Sequence, residues 1–164
     1  MILGMTPVTF IHVVLSFIGI VAGFAVLFGL LKSQVRDGWT ATFLVTTIAT
    51  SVTGFLLPSD QFLPSHGVGV ISLIVLVAAV LARYVFRLGG VWRPVYVASA
   101  MAALYFNCFV LVVQAFRKIP SLHALAPTES EPPFAIAQGV LLVLFIVLGI
   151  AAARSFRPAV PLPA

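Results

Sequence analysis

The sequence predicts an all-α, polytopic integral membrane protein in which residues 1–164 form a single bundle of five transmembrane helices. The first observation is composition: 62% of the residues are hydrophobic and 8% are charged, whereas soluble domains carry about 25% charged residues. The second is that the apolar residues fall into five long runs between short polar segments. So much apolar surface requires lipid as its solvent, and the bilayer is therefore the first expected partner.

The predicted spans are residues 7–31, 39–57, 66–88, 94–116 and 134–153, with an outer loop at 117–133. Each run is long enough to cross a hydrocarbon core of about 30 Å, because a helix rises 1.5 Å per residue. The first run has no positive charge before it and no small-residue cleavage site after it. We therefore expect an uncleaved span there and not a signal peptide.

The second span is opened by Trp39, a residue typical of membrane interfaces. Threonines recur along one face of this span at helical spacing: Thr42, Thr46, Thr50 and Thr53. Such hydroxyls bond the carbonyl four residues earlier or a neighbouring helix. This face is therefore expected to pack inside the bundle.

The connections between the spans are short, with one exception. Prolines break the chain at 58–64, and Gly89-Gly90 predicts a tight turn between the third and fourth spans. The loop 117–133 is longer and holds four of the eleven prolines, together with Glu129 and Glu131. Because prolines lower the entropy of the open chain, we expect this loop to be ordered against the outer face.

The basic residues predict the orientation of the spans. Seven of the nine lie on the side opposite the N-terminus: Lys32, Arg36, Arg83, Arg87, Arg93, Arg154 and Arg157. By the positive-inside rule that side is cytoplasmic, which puts the N-terminus outside and the C-terminus inside. The expected location is a bacterial cytoplasmic (inner) membrane. The net charge of +5 then reflects orientation, and no nucleic-acid partner is expected.

All three histidines fall on the outer side in this topology, and His12 lies about 7 Å into the first span. Ser16, Gly19 and Gly23 follow on its face. One hypothesis makes His12 an axial ligand of haem b, with the glycines letting a porphyrin approach the backbone. The alternative is that Gly19 and Gly23 form a helix-contact motif and His12 hydrogen-bonds across the bundle.

His66 opens the third span in the segment Pro-Ser-His-Gly-Val-Gly. Ser65 is a candidate N-cap, and a helix N-terminus favours neutral imidazole, the form that binds metals. The alternative is an interfacial histidine that faces water, and this is also our interpretation of His123 in the outer loop. If His12 and His66 share a metal it should be haem iron, and the two residues should lie within reach of one another. Ligation by two histidines between helices resembles membrane b-type cytochromes in that one respect.

Span four carries the other polar signal. Asn107 and Gln114 are seven residues apart and share a face, and Gln138 lies at a similar depth in span five. An amide in hydrocarbon is costly unless it is paired. These side chains are therefore either contacts between helices or donors to a quinone carbonyl or a haem propionate.

The sequence contains no phosphate-binding, nucleophile-elbow or zinc-protease motif, and its spans hold no acidic residue. An independent enzyme or a proton-coupled carrier is therefore not expected. One hypothesis is a small electron-transfer module that binds haem b or a quinone at the outer leaflet. The other is a structural or accessory subunit of a larger membrane complex, with Gly19, Gly23 and the threonine face as contacts and the outer loop as a clamp.

Overall fold

The computed structural model describes residues 6–57 and 64–158, and it contains helices and no strand in these ranges. The helices are α1 Pro7–Leu31, α2 Asp37–Gly54, α3 Pro64–Val80, α4 Trp92–Lys118, α5 Pro120–Leu125 and α6 Pro132–Ser155. Residues Leu81–Val85 continue α3 as a π-helical turn. The all-helical prediction is confirmed for this part of the chain, and the predicted break at 58–63 lies outside the described residues.

Four of the described helices are long and apolar enough to cross a membrane: Pro7–Leu31, His66–Val85, Trp92–Lys118 and Pro132–Ser155. Helix α2 forms where the sequence predicts the second span, and it is 18 residues long. Its six threonines and Asp37 make it less apolar than the other four. The structure therefore supports a helical membrane protein with four candidate spans.

The ends of the helices differ from the predicted spans by a few residues. Thr6 caps α1, because its side chain accepts a hydrogen bond from the Thr9 backbone N–H at 3.2 Å. The π-helical turn ends at Val85, so the chain leaves the third span earlier than predicted. The turn that follows includes Arg87 and Leu88 with positive φ, besides Gly90 at φ 50. The glycine pair is thus only the last part of this turn.

Helix α4 is the centre of the bundle. It packs against α1, α3 and α6, while α2 packs against α1 and α3. Its buried face includes Tyr96, Val97, Ala100, Ala103 and Leu104. Helix α6 buries only Phe145 and Ala152 and exposes many large apolar side chains, as expected for a surface that contacts lipid.

Polar contacts join the segments that connect the helices, at both ends of the bundle. At one end Arg83 forms an ion pair with Asp37, and the backbone N–H of Arg157 donates to Ser33 Oγ at 2.7 Å. These contacts join the segments beside α2, α3 and α6. At the other end Arg117 Nε lies 3.2 Å from Glu129 Oε1.

The outer loop has structure of its own. It contains α5, which packs against α4, and Ala126 just after α5 is fully buried. Glu131 accepts hydrogen bonds from the Thr128 hydroxyl at 2.8 Å and from the Ser130 backbone N–H at 3.1 Å. Phe116 and Phe134 meet edge to face with centroids 5.4 Å apart. These contacts agree with the expectation of an ordered loop.

Candidate functional site

A cavity of about 520 Å³ lies among α1, α2, α3 and α4, at the end where α1 and α3 begin. Residues 9–20, 50–57, 66–72 and 106–119 contribute its wall. Most of this wall is apolar or aromatic, and a few polar groups converge on it. The volume falls within the range of about 300–1,000 Å³ typical of small-molecule sites.

The cavity brings together five of the six residues that the sequence singles out. Its wall includes His12, Ser16, His66, Asn107 and Gln114. They come from three separate helices, α1, α3 and α4, so only the packing of the bundle places them around one space. Lys118 also lies on this wall, and like Gln114 it is exposed, which puts both side chains at the mouth.

Gly19, the sixth of these residues, does not line the cavity. A Cβ atom at Gly19 would lie 3.1 Å from Thr47 Oγ1, and one at Gly23 would lie 2.5 Å from a Leu104 methyl group and 3.0 Å from the Phe43 ring. The glycine face of α1 is therefore covered by α2 and α4. Small residues here let the helix backbones approach closely, which is the helix-contact alternative.

His12 is half-buried and bonds across the bundle to α2. Its Nδ1 lies 3.0 Å from Thr53 Oγ1. A methyl group added at Gly54 would lie 3.5 Å from His12 Cε1, so the edge of the ring sits beside this glycine. The end of α2 thus fixes the position of the imidazole while the ring still lines the cavity.

His66 stacks on Phe55, with ring centroids 5.6 Å apart and an angle of 16° between the planes. Phe55 also lies over Gly69, where an added Cβ would be 3.1 Å from the Phe55 ring. The glycine spacing after His66 therefore makes room for an aromatic side chain of this protein. The two histidines contact consecutive residues of the chain, Gly54 and Phe55.

The three amides separate into different roles. Asn107 Nδ2 donates to Thr47 Oγ1 at 3.2 Å, so this side chain both links α4 to α2 and lines the cavity. Gln138 Nε2 donates to the Phe109 carbonyl at 3.2 Å, and its Oε1 is buried without a partner among the described residues. Gln138 thus bonds to the α4 backbone, whereas Gln114 lies at the cavity mouth.

Sequence reasoning missed the residues that hold the histidines. Thr53 belongs to the recognised threonine face, but no pattern ties it to His12, and nothing in the sequence pairs Phe55 with His66. Ser51 and Ser72, which line the wall between α2 and α3 with 3.4 Å between their hydroxyl oxygens, were also missed. His123 is exposed on α5 and does not line the cavity.

The residues present offer a ligand apolar contacts and a small set of nitrogen and oxygen groups. Within the described ranges no group of three or more His, Cys, Asp or Glu side chains could hold a metal ion. Comparison of the chain with protein-family models, curated proteins and solved structures found no match. The fold and the cavity therefore define the class: a helical protein with four candidate membrane spans and a ligand-sized cavity at one end.

Proposed function

We propose that α2 is a fifth span, so that the chain crosses the membrane five times. Its 18 residues extend about 27 Å, close to the thickness of the hydrocarbon core. Val45 is 65% exposed and Val52 47% exposed, which suits a surface facing lipid. The hydroxyls of Thr42, Thr46 and Thr53 donate to backbone carbonyls four residues earlier, which offsets the cost of placing them in a bilayer.

The orientation that follows has the N-terminus outside and the C-terminus in the cytoplasm. The contacts of Asp37 with Arg83 and of Ser33 with Arg157 collect the segments rich in basic residues at one end of the bundle. Positive charge concentrated at one end marks the cytoplasmic side. The cavity at the opposite end then faces the exterior, which is the periplasm if the membrane is a bacterial inner membrane.

Reporter fusions test this topology. Alkaline phosphatase fused after Leu57 should be active, and the same enzyme fused after Ser33 or after Ala164 should be inactive, because phosphatase folds only outside the cytoplasm. Activity of the C-terminal fusion would reverse the orientation. Inactivity of the fusion after Leu57 would show that α2 does not cross the membrane.

For the function, we propose a small redox module that binds a quinone ring in the outer cavity, with His12 and His66 as its polar contacts. The observation that carries this proposal is the convergence of both histidines and two amides on one apolar cavity of about 520 Å³. A quinone is flat and apolar and has one oxygen at each end of its ring. Apolar walls with a few placed polar groups are typical of sites for such ligands.

The packing of α1 favours a quinone over haem b. A porphyrin along α1 would need the glycine face, and α2 and α4 already occupy that face at Gly19 and Gly23. Phe55 further narrows the space beside His66. A single six-membered ring needs less width, and a chain attached to it can pass between helices into lipid.

The residues expected to contact a larger complex, in the accessory-subunit hypothesis, contact other residues of this chain instead. Gly19 and Gly23 are used inside the bundle. Glu129 pairs with Arg117, and Glu131 bonds to Thr128 within the outer loop. The exposed apolar face of α6 is accounted for by lipid.

Equilibrium dialysis tests the proposal directly. Duroquinone, a tetramethyl benzoquinone, should bind saturably to the protein in lipid nanodiscs after binding to empty nanodiscs is subtracted. Gly54→Leu places a side chain in the cavity and should weaken binding by at least about tenfold. Gly139→Leu is the matched control, because nothing lies within 4 Å of a Cβ at Gly139 on α6.

Two outcomes would replace this function with another. A purified protein with a Soret band that shifts on reduction, and that disappears in His12→Ala and in His66→Ala, would make haem b the cofactor. A colourless protein without saturable quinone binding that co-purifies with larger membrane proteins would favour the accessory subunit.

A further inference from the structure

The hydrogen bonds around Thr53 determine where the proton of His12 lies. A threonine hydroxyl has one proton, and that of Thr53 is donated to the backbone of its own helix, with Oγ1 2.7 Å from the Ala49 carbonyl oxygen and 3.2 Å from that of Thr50. The same oxygen lies 3.0 Å from His12 Nδ1. Because its proton is already used, Thr53 can only accept from the imidazole.

A neutral imidazole carries one proton, and the bond to Thr53 places it on Nδ1. Helix α2 thus presents the Thr53 oxygen as an acceptor to His12 and holds the N–H on its own side. The nitrogen left for a ligand is Nε2, and it carries a lone pair and no proton.

Ser16, one helical turn further along α1, is limited in the same way. Its hydroxyl donates to the backbone carbonyl of His12 at 2.8 Å, so its oxygen can only accept from a ligand in the cavity. The α1 side of the cavity therefore presents two acceptors. The oxygen at the other end of a ring is left to His66 and to Gln114 and Lys118 at the mouth, and N–H groups there can donate to a carbonyl or a hydroxyl oxygen alike.

We infer that the His12 end of the cavity receives a hydroxyl group, so that the site binds a hydroquinone more tightly than the corresponding quinone. This inference rests on the proposed quinone site. A hydroquinone O–H donates to His12 Nε2, whereas a quinone carbonyl oxygen would place a second acceptor against it. A buried acceptor left without a donor loses its hydrogen bond and still bears the cost of leaving water.

The comparison of durohydroquinone with duroquinone tests this preference. Both are dialysed without oxygen against the protein in nanodiscs at pH 8, above the ordinary imidazole pKa of about 6.5, so that the ring is neutral. The hydroquinone should bind about tenfold more tightly. Equal affinities, or tighter binding of the quinone, would overturn the inference and leave the quinone site standing. Failure of both compounds to bind saturably would overturn the inference together with the proposed function.

Thr53→Val removes the acceptor while keeping the shape of the side chain, so it should reduce the preference to about twofold or less. Thr42→Val is the matched control, because Thr42 is also on α2 and donates to the carbonyl four residues earlier, at 2.9 Å, but it lies about 16 Å along the helix from Thr53, the partner of His12. This control should keep the full preference. A preference that survives Thr53→Val unchanged would contradict the role of Thr53.

Nitrogen-15 NMR of protein labelled at histidine reads the position of the proton without any ligand. The signals of His12 are identified as those lost in His12→Phe. At pH 8 the native protein should show a protonated Nδ1 and an unprotonated Nε2, and Thr53→Val should bring back the mixture of tautomers typical of a free imidazole. A protonated Nε2 in the native protein would overturn the inference regardless of the binding data.

Discussion

Helices α1 to α4 pack closely in the half of the bundle where α1 ends, called the inner half, and leave a cavity in the half where α1 begins, called the outer half. In the inner half Gly23 brings α1 against Leu104 and Phe43, and the space beside Tyr96 and Phe156 is too small for a water molecule. In the outer half His12 and Phe55 stand between the helices and a cavity of about 520 Å³ remains. Close approach of the helices at Gly23 characterises the first arrangement, and the rings of His12 and Phe55 line the space left in the second.

The difference shows that a small residue does not by itself predict a groove for a ligand. Gly19 and Gly23 let the backbones approach until no space is left, because packing is the main force between helices in lipid. The cavity opens where α2 ends at Gly54 and the chain turns out of the helix. The space for a ligand thus lies at the ends of helices, where His12, Phe55 and His66 line it.

The largest expected effect on stability is that of Gly23→Ala. The new Cβ would lie 2.5 Å from a Leu104 methyl group and 3.0 Å from the Phe43 ring, and both of these side chains are fully buried. Overpacking of this kind costs about 1–3 kcal/mol. Unfolding in mixed detergent micelles measures the change, and a variant as stable as the native protein would show that the inner half is not tightly packed.

Thr47→Val should have a smaller effect, and it tests the boundary between the two halves. Thr47 is fully buried and accepts the hydrogen bond from Asn107 Nδ2. Hydrogen bonds between membrane helices contribute about 0.6 kcal/mol on average, so we expect a loss of about that size. A double-mutant cycle with Asn107→Leu should assign this loss to the pair, and additive effects would show that the bond contributes nothing.

Gly54→Ala is the counterpart of Gly23→Ala in the outer half. The added Cβ would lie 3.5 Å from His12 Cε1, which is ordinary van der Waals contact. The free energy of unfolding should therefore change by less than about 0.5 kcal/mol. A Gly54→Ala variant that is destabilised more than Gly23→Ala would reverse the comparison between the two halves.

The smallest effect is expected at Glu131, in the loop at the outer end. Desolvation, the largest single cause, raises its pKa, but hydrogen bonds from the Thr128 side chain and from the backbone of residues 128–131 together hold the pKa below the ordinary value of 4.5. Because the folded pKa is lowered, the stabilisation is present above pH 4.5 and is lost as the pH falls through the folded value.

Hydrogen exchange at the backbone amides of Thr128 and Ser130 measures this loss of stabilisation. Protection should decrease below pH 4.5 in the native protein, after correction for the intrinsic exchange rate, and should be lower and independent of pH in Glu131→Gln, whose neutral amide oxygen is a weaker acceptor and does not titrate. Glu129→Gln is the control, since Glu129 pairs with Arg117 and makes none of these bonds. Equal pH profiles in the native protein and Glu131→Gln would contradict the assignment.

The length of each apolar run was enough to place every long helix to within a few residues. The run from Pro7 to Leu31 coincides with α1, because a helix satisfies its own backbone groups and needs no distant partner. The weaker case is α2, where the threonines lower the apolar character of the run. Their hydroxyls donate to backbone carbonyls of their own helix, and the hydropathy of the run does not take these hydrogen bonds into account.

His12 was selected as a candidate because it is ionisable within a span, and Asn107 because an amide in hydrocarbon needs a partner, and both rules hold for any fold. Their partners were decided by the tertiary structure. Thr53 and Thr47 belong to a different helix, and which of their atoms face His12 and Asn107 depends on how α2 rotates against α1 and α4. Helical periodicity alone does not define that rotation.

The sequence by itself determined the helices and their approximate lengths, because these follow from runs of neighbouring residues in a low-dielectric solvent. Only the tertiary structure decided that Gly19 is a packing residue and that His12 and His66 share a cavity. Both outcomes depend on side chains that are distant in the chain, such as Thr46 against Gly19 and Phe55 against His66. Close packing between helices is a property of pairs of surfaces, and a single run of residues does not specify its partner.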